Sequence, residues 1–65
     1  MSEELETARR YRAHARELRT IAKGETAEPN RQVLLEVARD YEKMAKALEA
    51  VHRANTNGGK TASFY

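Results

Sequence analysis

Five basic residues in the first half of the chain recur at steps of three and four. They are Arg9, Arg12, Arg16, Arg19 and Lys23. This spacing places them on one ridge of a helix, where they could bind the phosphate backbone of a nucleic acid. No aromatic residue is interleaved with them on an exposed face, so the ridge offers no platform for base stacking. We therefore keep anion binding as an alternative and favour a flank whose charges pair across to a second helix.

A second constellation lies near the end of the second predicted helix. Glu49 and His52 have the Glu-x-x-His spacing of carboxylate-bridged di-iron bundles, and Glu4 falls nearly level with Glu49 in a hairpin. Two chains would supply two such units and two further glutamates. Because these residues lie at helix ends, and because a single Glu-x-x-His is common in helices, they are remote metal candidates only. We predict no metal or cofactor.

Two further features have simple interpretations. His14 has Glu17 one turn later but no nucleophile nearby, which is typical of a surface imidazole. Residues 54–61, which end in Gly-Gly-Lys-Thr, loosely match a phosphate-binding loop, but a helix precedes them where that loop requires a strand. No set of residues predicts an enzyme.

Composition limits the size of the core. The chain has 65 residues, 34% of them charged, with no cysteine and one phenylalanine. A core of this size supplies only about 3–5 kcal/mol, so self-association is the expected reinforcement. The acidic N-terminus predicts no signal peptide, and no stretch approaches the roughly 20 apolar residues of a membrane span. We therefore expect a cytoplasmic protein.

Start and stop signals divide the chain into two helices. Ser2 can cap a helix over residues 3–23, and Gly24 supplies the expected C-terminal glycine. A turn over 24–26 leads to a second helix over 27–54. Because the connection is short, the helices should be antiparallel neighbours.

The remaining segment, residues 55–65, is polar apart from Phe64 and Tyr65. We expect it to be flexible. Its aromatic carboxyl terminus is the kind of segment that a groove on a partner could capture.

The two helices repeat one pattern. Leu-Glu-x-Ala-Arg-x-Tyr occurs at residues 5–11 and again at residues 35–41. Apolar residues then follow the alternating three- and four-residue steps of a coiled-coil seam. The repeat predicts a pseudo-two-fold axis through a pair of tyrosines. The seam is predicted to contain Tyr11, Leu18, Leu34, Tyr41 and Leu48, with alanines between them.

The register of the hairpin also predicts charge pairs. If the turn centres near residue 26, Arg12 lies level with Asp40, and Arg16 lies level with Glu36. The repeat exchanges charge as well, because Glu42 stands thirty residues after Arg12.

The second helix has more apolar surface than one neighbouring helix can cover. Val33, Val37, Met44 and Val51 widen its stripe on one side, Ile21 does the same in the first helix, and Leu35 lies off the stripe. We expect Leu35, Val37, Met44 and Val51 to form an association face. Two hairpins would then dimerise into a four-helix bundle, and another helical protein is the alternative partner.

A longer pattern runs through the chain: Y-R-x-x-A-x-x-L from Tyr11, a turn with Pro29, then R-x-x-L-L-x-x-A-x-x-Y-E-x-M-A from Arg31. In this, residues 8–48 resemble short uncharacterised bacterial proteins of similar length. The resemblance implies a bacterial helical hairpin. It brings no activity, ligand or catalytic residue with it.

The sequence thus predicts an all-α protein, an antiparallel two-helix hairpin that dimerises. Its expected function is that of a small self-associating interaction or regulatory module, acting through helix–helix packing. A nucleic-acid-binding regulator that uses the arginine ridge is the alternative, and a metal-binding bundle is a remote one.

Overall fold

The computed structural model describes residues 2–56 of the chain, which form two α-helices joined by a three-residue turn. Helix α1 spans Glu3–Gly24 and helix α2 spans Glu28–Thr56, and the two pack against each other. No strand occurs within residues 2–56. The predicted all-α helical hairpin is therefore confirmed. In the same part of the chain, neither helix combines the length and apolar character that a bilayer crossing needs.

Ser2 caps α1 as predicted. Its backbone is extended (φ −88°, ψ 131°), and its Oγ accepts a hydrogen bond from the Leu5 N–H at 3.3 Å. The same hydroxyl donates to the Glu4 carboxylate at 2.7 Å, which lowers the pKa of Glu4. Acidic residues in the first turn also interact favourably with the helix dipole.

The chain leaves α1 without the left-handed glycine that the sequence suggested. Gly24 is the last residue of the helix, and its φ is not positive. Glu25 instead adopts an extended backbone (φ −83°, ψ 123°) and donates its N–H to the Ala22 carbonyl at 3.1 Å. Its carboxylate accepts from the Ala27 N–H at 3.1 Å, so one glutamate braces the whole turn.

Helix α2 begins one residue later than predicted and runs two residues further, through Asn55 and Thr56. The Thr56 hydroxyl donates to the His52 carbonyl at 2.8 Å, so its side chain bonds back onto the last turn. The rest of the predicted flexible tail, including Phe64 and Tyr65, lies outside the described residues.

The centre of the hairpin is built from alanine. Five alanines, spaced seven residues apart within each helix, are at most 2% exposed: Ala8, Ala15, Ala22, Ala38 and Ala45. Within residues 2–56, no larger side chain is fully buried. The predicted seam tyrosines and leucines are half-buried between the alanines. The two helices therefore pack through small side chains, which permits their backbones to approach closely.

Replacement of Gly24 by alanine tests how α1 ends. Because Gly24 is exposed, has no positive φ and leaves open space where a Cβ would lie, Gly24→Ala should stabilise the hairpin by about 0.4–1 kcal/mol. Thermal unfolding followed by circular dichroism measures the change, with Ala22→Gly as the opposing control. A fall in the melting temperature of Gly24→Ala would show that the glycine is needed in a left-handed conformation.

Candidate functional site

An aromatic cluster marks the middle of the hairpin. The rings of Tyr11 and Tyr41 lie 5.4 Å apart at 50°, so the predicted tyrosine pair is confirmed. The His14 imidazole stacks on Tyr41 at 5.3 Å and 28°, and its Nδ1 lies 3.6 Å from the Glu17 carboxylate. The sequence pattern indicated Glu17 as a neighbour of His14 but not the stacking on Tyr41. The signal for the stacking was the position of His14 next to a seam alanine, three residues after Tyr11.

Two ion pairs join the helices along one flank of the seam. Arg12 donates to both carboxylate oxygens of Glu49 at 2.7 and 2.9 Å, and Arg19 donates to both oxygens of Glu42 at 2.7 and 3.1 Å. Such two-point pairs fix orientation as well as distance. Each of these four residues directly follows a half-buried seam residue. We call this set, Arg12, Arg19, Glu42 and Glu49, the closed flank.

The predicted pairing of Arg12 with Asp40 is wrong. Arg12 reaches Glu49, nine residues farther along α2. Side chains on a helix lean toward its N-terminus. In antiparallel helices, Arg12 therefore leans toward the open end of the hairpin and Glu49 leans toward the turn, so the two converge. A register drawn only from the heights of the residues along the hairpin does not include this lean of the side chains.

The two ion pairs are related by the internal repeat. A shift of thirty residues converts Arg12 into Glu42 and Arg19 into Glu49. The pair Arg12–Glu49 therefore maps onto the pair Arg19–Glu42 with the charges exchanged. The charge exchange noticed in the sequence thus has a structural counterpart, namely two equivalent bridges on either side of the tyrosine pair.

The two ion pairs shift the pKa values of all four side chains. The hydrogen bonds from Arg12 and Arg19 lower the pKa values of Glu49 and Glu42, respectively, and the nearby charge of Lys46 lowers both further. The same hydrogen bonds raise the pKa of each arginine. Because these side chains remain roughly one-third exposed, water screens the pairs, and they act mainly in setting the register of the helices.

The opposite flank of the seam is apolar and exposed. Ile21, Val37 and Met44 each directly precede a buried alanine, and they are 55%, 37% and 42% exposed. Val51, seven residues after Met44, is 46% exposed. We call the row that these residues share the open flank; it comprises Thr7, His14, Ile21, Val37, Met44 and Val51.

The structure separates Leu35 from the rest of the predicted association face. Val37, Met44 and Val51 lie together on the open flank. Leu35 lies seven residues before Glu42, in the row of the closed flank, and is half-buried. Ile21 of α1 shares the open flank with these three residues, so the exposed apolar surface extends over both helices.

The predicted basic ridge consists of two rows with different surroundings. Arg12 and Arg19 are held by glutamates across the hairpin. Arg9, Arg16 and Lys23 are exposed, and none of them forms an ion pair within 4.0 Å with any other residue of the described chain.

Two of the three remote metal candidates are engaged by other residues. Both carboxylate oxygens of Glu49 accept from Arg12, and Glu4 accepts from the Ser2 hydroxyl. The charge of His52 acts on Glu4 only as a minor cause of its lowered pKa. Across residues 2–56, no group of three or more histidine, cysteine or acidic side chains is arranged to hold a metal ion.

In comparisons with known proteins, no family model, curated protein or solved structure matches this chain. The contacts and exposure of its own residues must therefore support any proposal about function.

Reversal of one bridge tests the closed flank. Arg12→Glu sets two carboxylates against each other and should lower the melting temperature, whereas Arg12→Glu combined with Glu49→Arg should restore most of the loss. Arg16→Glu, at an exposed position on the same helix, is the control and should change the melting temperature less than Arg12→Glu. A double variant no more stable than Arg12→Glu would show that these side chains do not pair.

The lowered pKa values predict a loss of stability in acid. Glu42 and Glu49 have pKa values below the ordinary 4.5 when folded, so the unfolded chain binds their protons first as the pH falls. Their contribution is present above pH 4.5 and is lost as the pH falls through the folded values. Thermal melts across this range should show a smaller acid-induced loss for the Glu42→Gln, Glu49→Gln variant than for the unmodified chain. Equal losses would contradict this assignment.

Proposed function

We propose that two hairpins associate through their open flanks into a four-helix bundle, and that the protein acts as a non-catalytic helical interaction module. One observation carries the proposal. Exposed apolar side chains of both helices lie on the same flank of the seam, while the other flank is closed by two Arg–Glu bridges. Contiguous exposed apolar surface of this kind is typical of interaction sites.

The hairpin alone buries little apolar volume. Its fully buried side chains in the described region are alanines, and each buried methyl contributes only about 0.8 kcal/mol. Small domains commonly gain the missing stability by oligomerisation. Burial of Ile21, Val37, Met44 and Val51 against a partner would enlarge the core with the largest apolar side chains available to it.

A second copy of the chain suits the open flank. Apart from His14, the flank contains no ionisable side chain, so a partner meets little desolvation cost there. The row outside it contains charges of both signs, Arg10 and Glu17 on α1 and Asp40 on α2. A two-fold axis brings the same patch of each copy together, so opposite charges of this row can face each other.

The ionisable groups support a non-catalytic role. No ionisable side chain within residues 2–56 is buried. The carboxylates with shifted pKa values are those that accept hydrogen bonds from Ser2, Arg12, Arg19 or the Arg31–Gln32 pair. Structural ion pairs and caps account for these shifts, whereas catalytic groups are typically shifted inside a cleft.

Val37→Glu and Met44→Glu test the association. Each places a charge in the middle of the open flank, so each should convert a species of at least twice the 7.4 kDa chain mass into monomers of lower helicity. Light scattering measures the mass. The melting temperature of the unmodified chain should also rise with protein concentration, because association stabilises the folded state.

Ala50→Glu is the matched control, since Ala50 lies on α2 and is exposed away from both flanks. It introduces the same charge and should leave the mass unchanged. If Val37→Glu and Met44→Glu also keep the mass of the unmodified chain, the open flank is not the association face.

A further inference from the structure

A set of cations recurs in both halves of the repeat. The residue directly after each buried alanine is basic, and so is the residue after His52. A shift of thirty residues converts each member in α1 into a basic residue of α2. All six are exposed, and we call them the cation rows: Arg9, Arg16, Lys23, Arg39, Lys46 and Arg53.

The cation rows share a face with the closed flank. The residues of the cation rows follow the buried alanines, and those of the closed flank follow the tyrosines and leucines of the seam. Because each residue turns the helix by about 100°, both sets project to the same side of the seam. The contacts agree with this placement. The charge of Lys46 lowers the pKa of both Glu42 and Glu49, and Arg53 does so for Glu49. A shallow depression that includes Arg12, Arg39 and Lys46 spans both helices on this side.

Positive charge is therefore concentrated on the face that contains the cation rows and the closed flank. The six cations together with Arg12 and Arg19 make eight positive charges, against the three negative charges of Glu28, Glu42 and Glu49, which share one row of α2. The whole chain has a net charge of only +2. Other acidic residues, such as Glu3, Glu17, Glu36 and Asp40, occupy other rows of the helices.

We infer that this face binds the sugar–phosphate backbone of a nucleic-acid duplex, without reading its sequence. Within each helix the cations lie seven residues apart, about 10.5 Å, and extend over about 21 Å. A duplex strand presents about six phosphates over that length. The inference goes beyond self-association and does not depend on it, because the face lies on the opposite side of the seam from the open flank.

The composition of the face distinguishes a duplex from other polyanions. The cation rows contain no aromatic residue, so the bases of a single strand have nothing to stack on. The exposed large apolar side chains, Ile21, Val33, Val37, Met44 and Val51, lie outside these rows, so none is placed to insert into a bilayer from this face. Rigid rows of cations match a rigid, regular array of phosphates.

The test is the salt dependence of binding to a duplex DNA of about two helical turns, measured by fluorescence anisotropy. Each phosphate contact contributes about −0.9 to the slope of log K against log salt. Arg16→Gln with Lys46→Gln removes the central cation of each row. This variant should lose roughly 100-fold in affinity at about 50 mM salt, and its slope should become shallower by about 1.8.

Arg10→Gln with Arg31→Gln is the matched control. It removes the same charge from positions off the cation rows, where Arg10 lies near Glu6 and Arg31 pairs with Glu28, and it should leave the slope unchanged. Equal slope changes in the two variants would overturn the inference. Absence of duplex binding at low salt would also overturn it, as would equally tight binding to phosphatidylserine vesicles.

Two further arms complete the experiment. An RNA duplex of the same length, measured in parallel, assigns the backbone to DNA or RNA, and tighter binding to either supports a duplex site. The Val37→Glu variant should keep the salt slope per chain, so failure of self-association and failure of duplex binding are separable. A single strand bound more tightly than both duplexes would contradict the inference.

Discussion

The close packing of two helices along five alanines is the constraint on which the rest of the structure depends. Helix axes typically lie about 8–10 Å apart, and small side chains at the contact permit the shorter distances. With only methyl groups at the centre, the larger tyrosines and leucines stay half-buried, and the residues beside them come within reach of the opposite helix. The Arg–Glu bridges on one flank and the apolar row on the other both follow from this geometry.

The internal repeat shows where a two-fold arrangement accepts identical side chains and where it does not. Tyr11 and Tyr41 lie at the axis and are the same residue, because two neutral rings can pack against each other. Arg12 and Arg19 could not be repeated in α2. An arginine in place of Glu49 would face Arg12, and like charges at that distance repel. The repeat therefore contains glutamates at the positions where the helices meet.

In the cation rows, by contrast, the repeat keeps the sign of the charge. Arg9 and Arg39 repeat with the same sign, as do Arg16 and Lys46, because these side chains point outward to solvent rather than across the hairpin. No repulsion between the helices required a change of charge there. The outward-facing charges of the cation rows repeat with the same sign, whereas the charges between the helices repeat with opposite sign. Positive charge is therefore concentrated on one face. The apolar open flank occupies the other, so the two faces of one small hairpin differ in the partners they suit.

The sequence by itself determined the helices, the Ser2 cap, the alanine seam and the meeting of Tyr11 with Tyr41. These follow from the 3.6-residue period and from short-range signals, which act within a few residues of the chain. It did not determine the partner of Arg12 or the stacking of His14 on Tyr41. Those depend on the rotation of each helix about its axis and on how far long side chains lean along it. Only the packing of the two helices decided them, because rotation and axial reach are settled by contacts between residues distant in sequence.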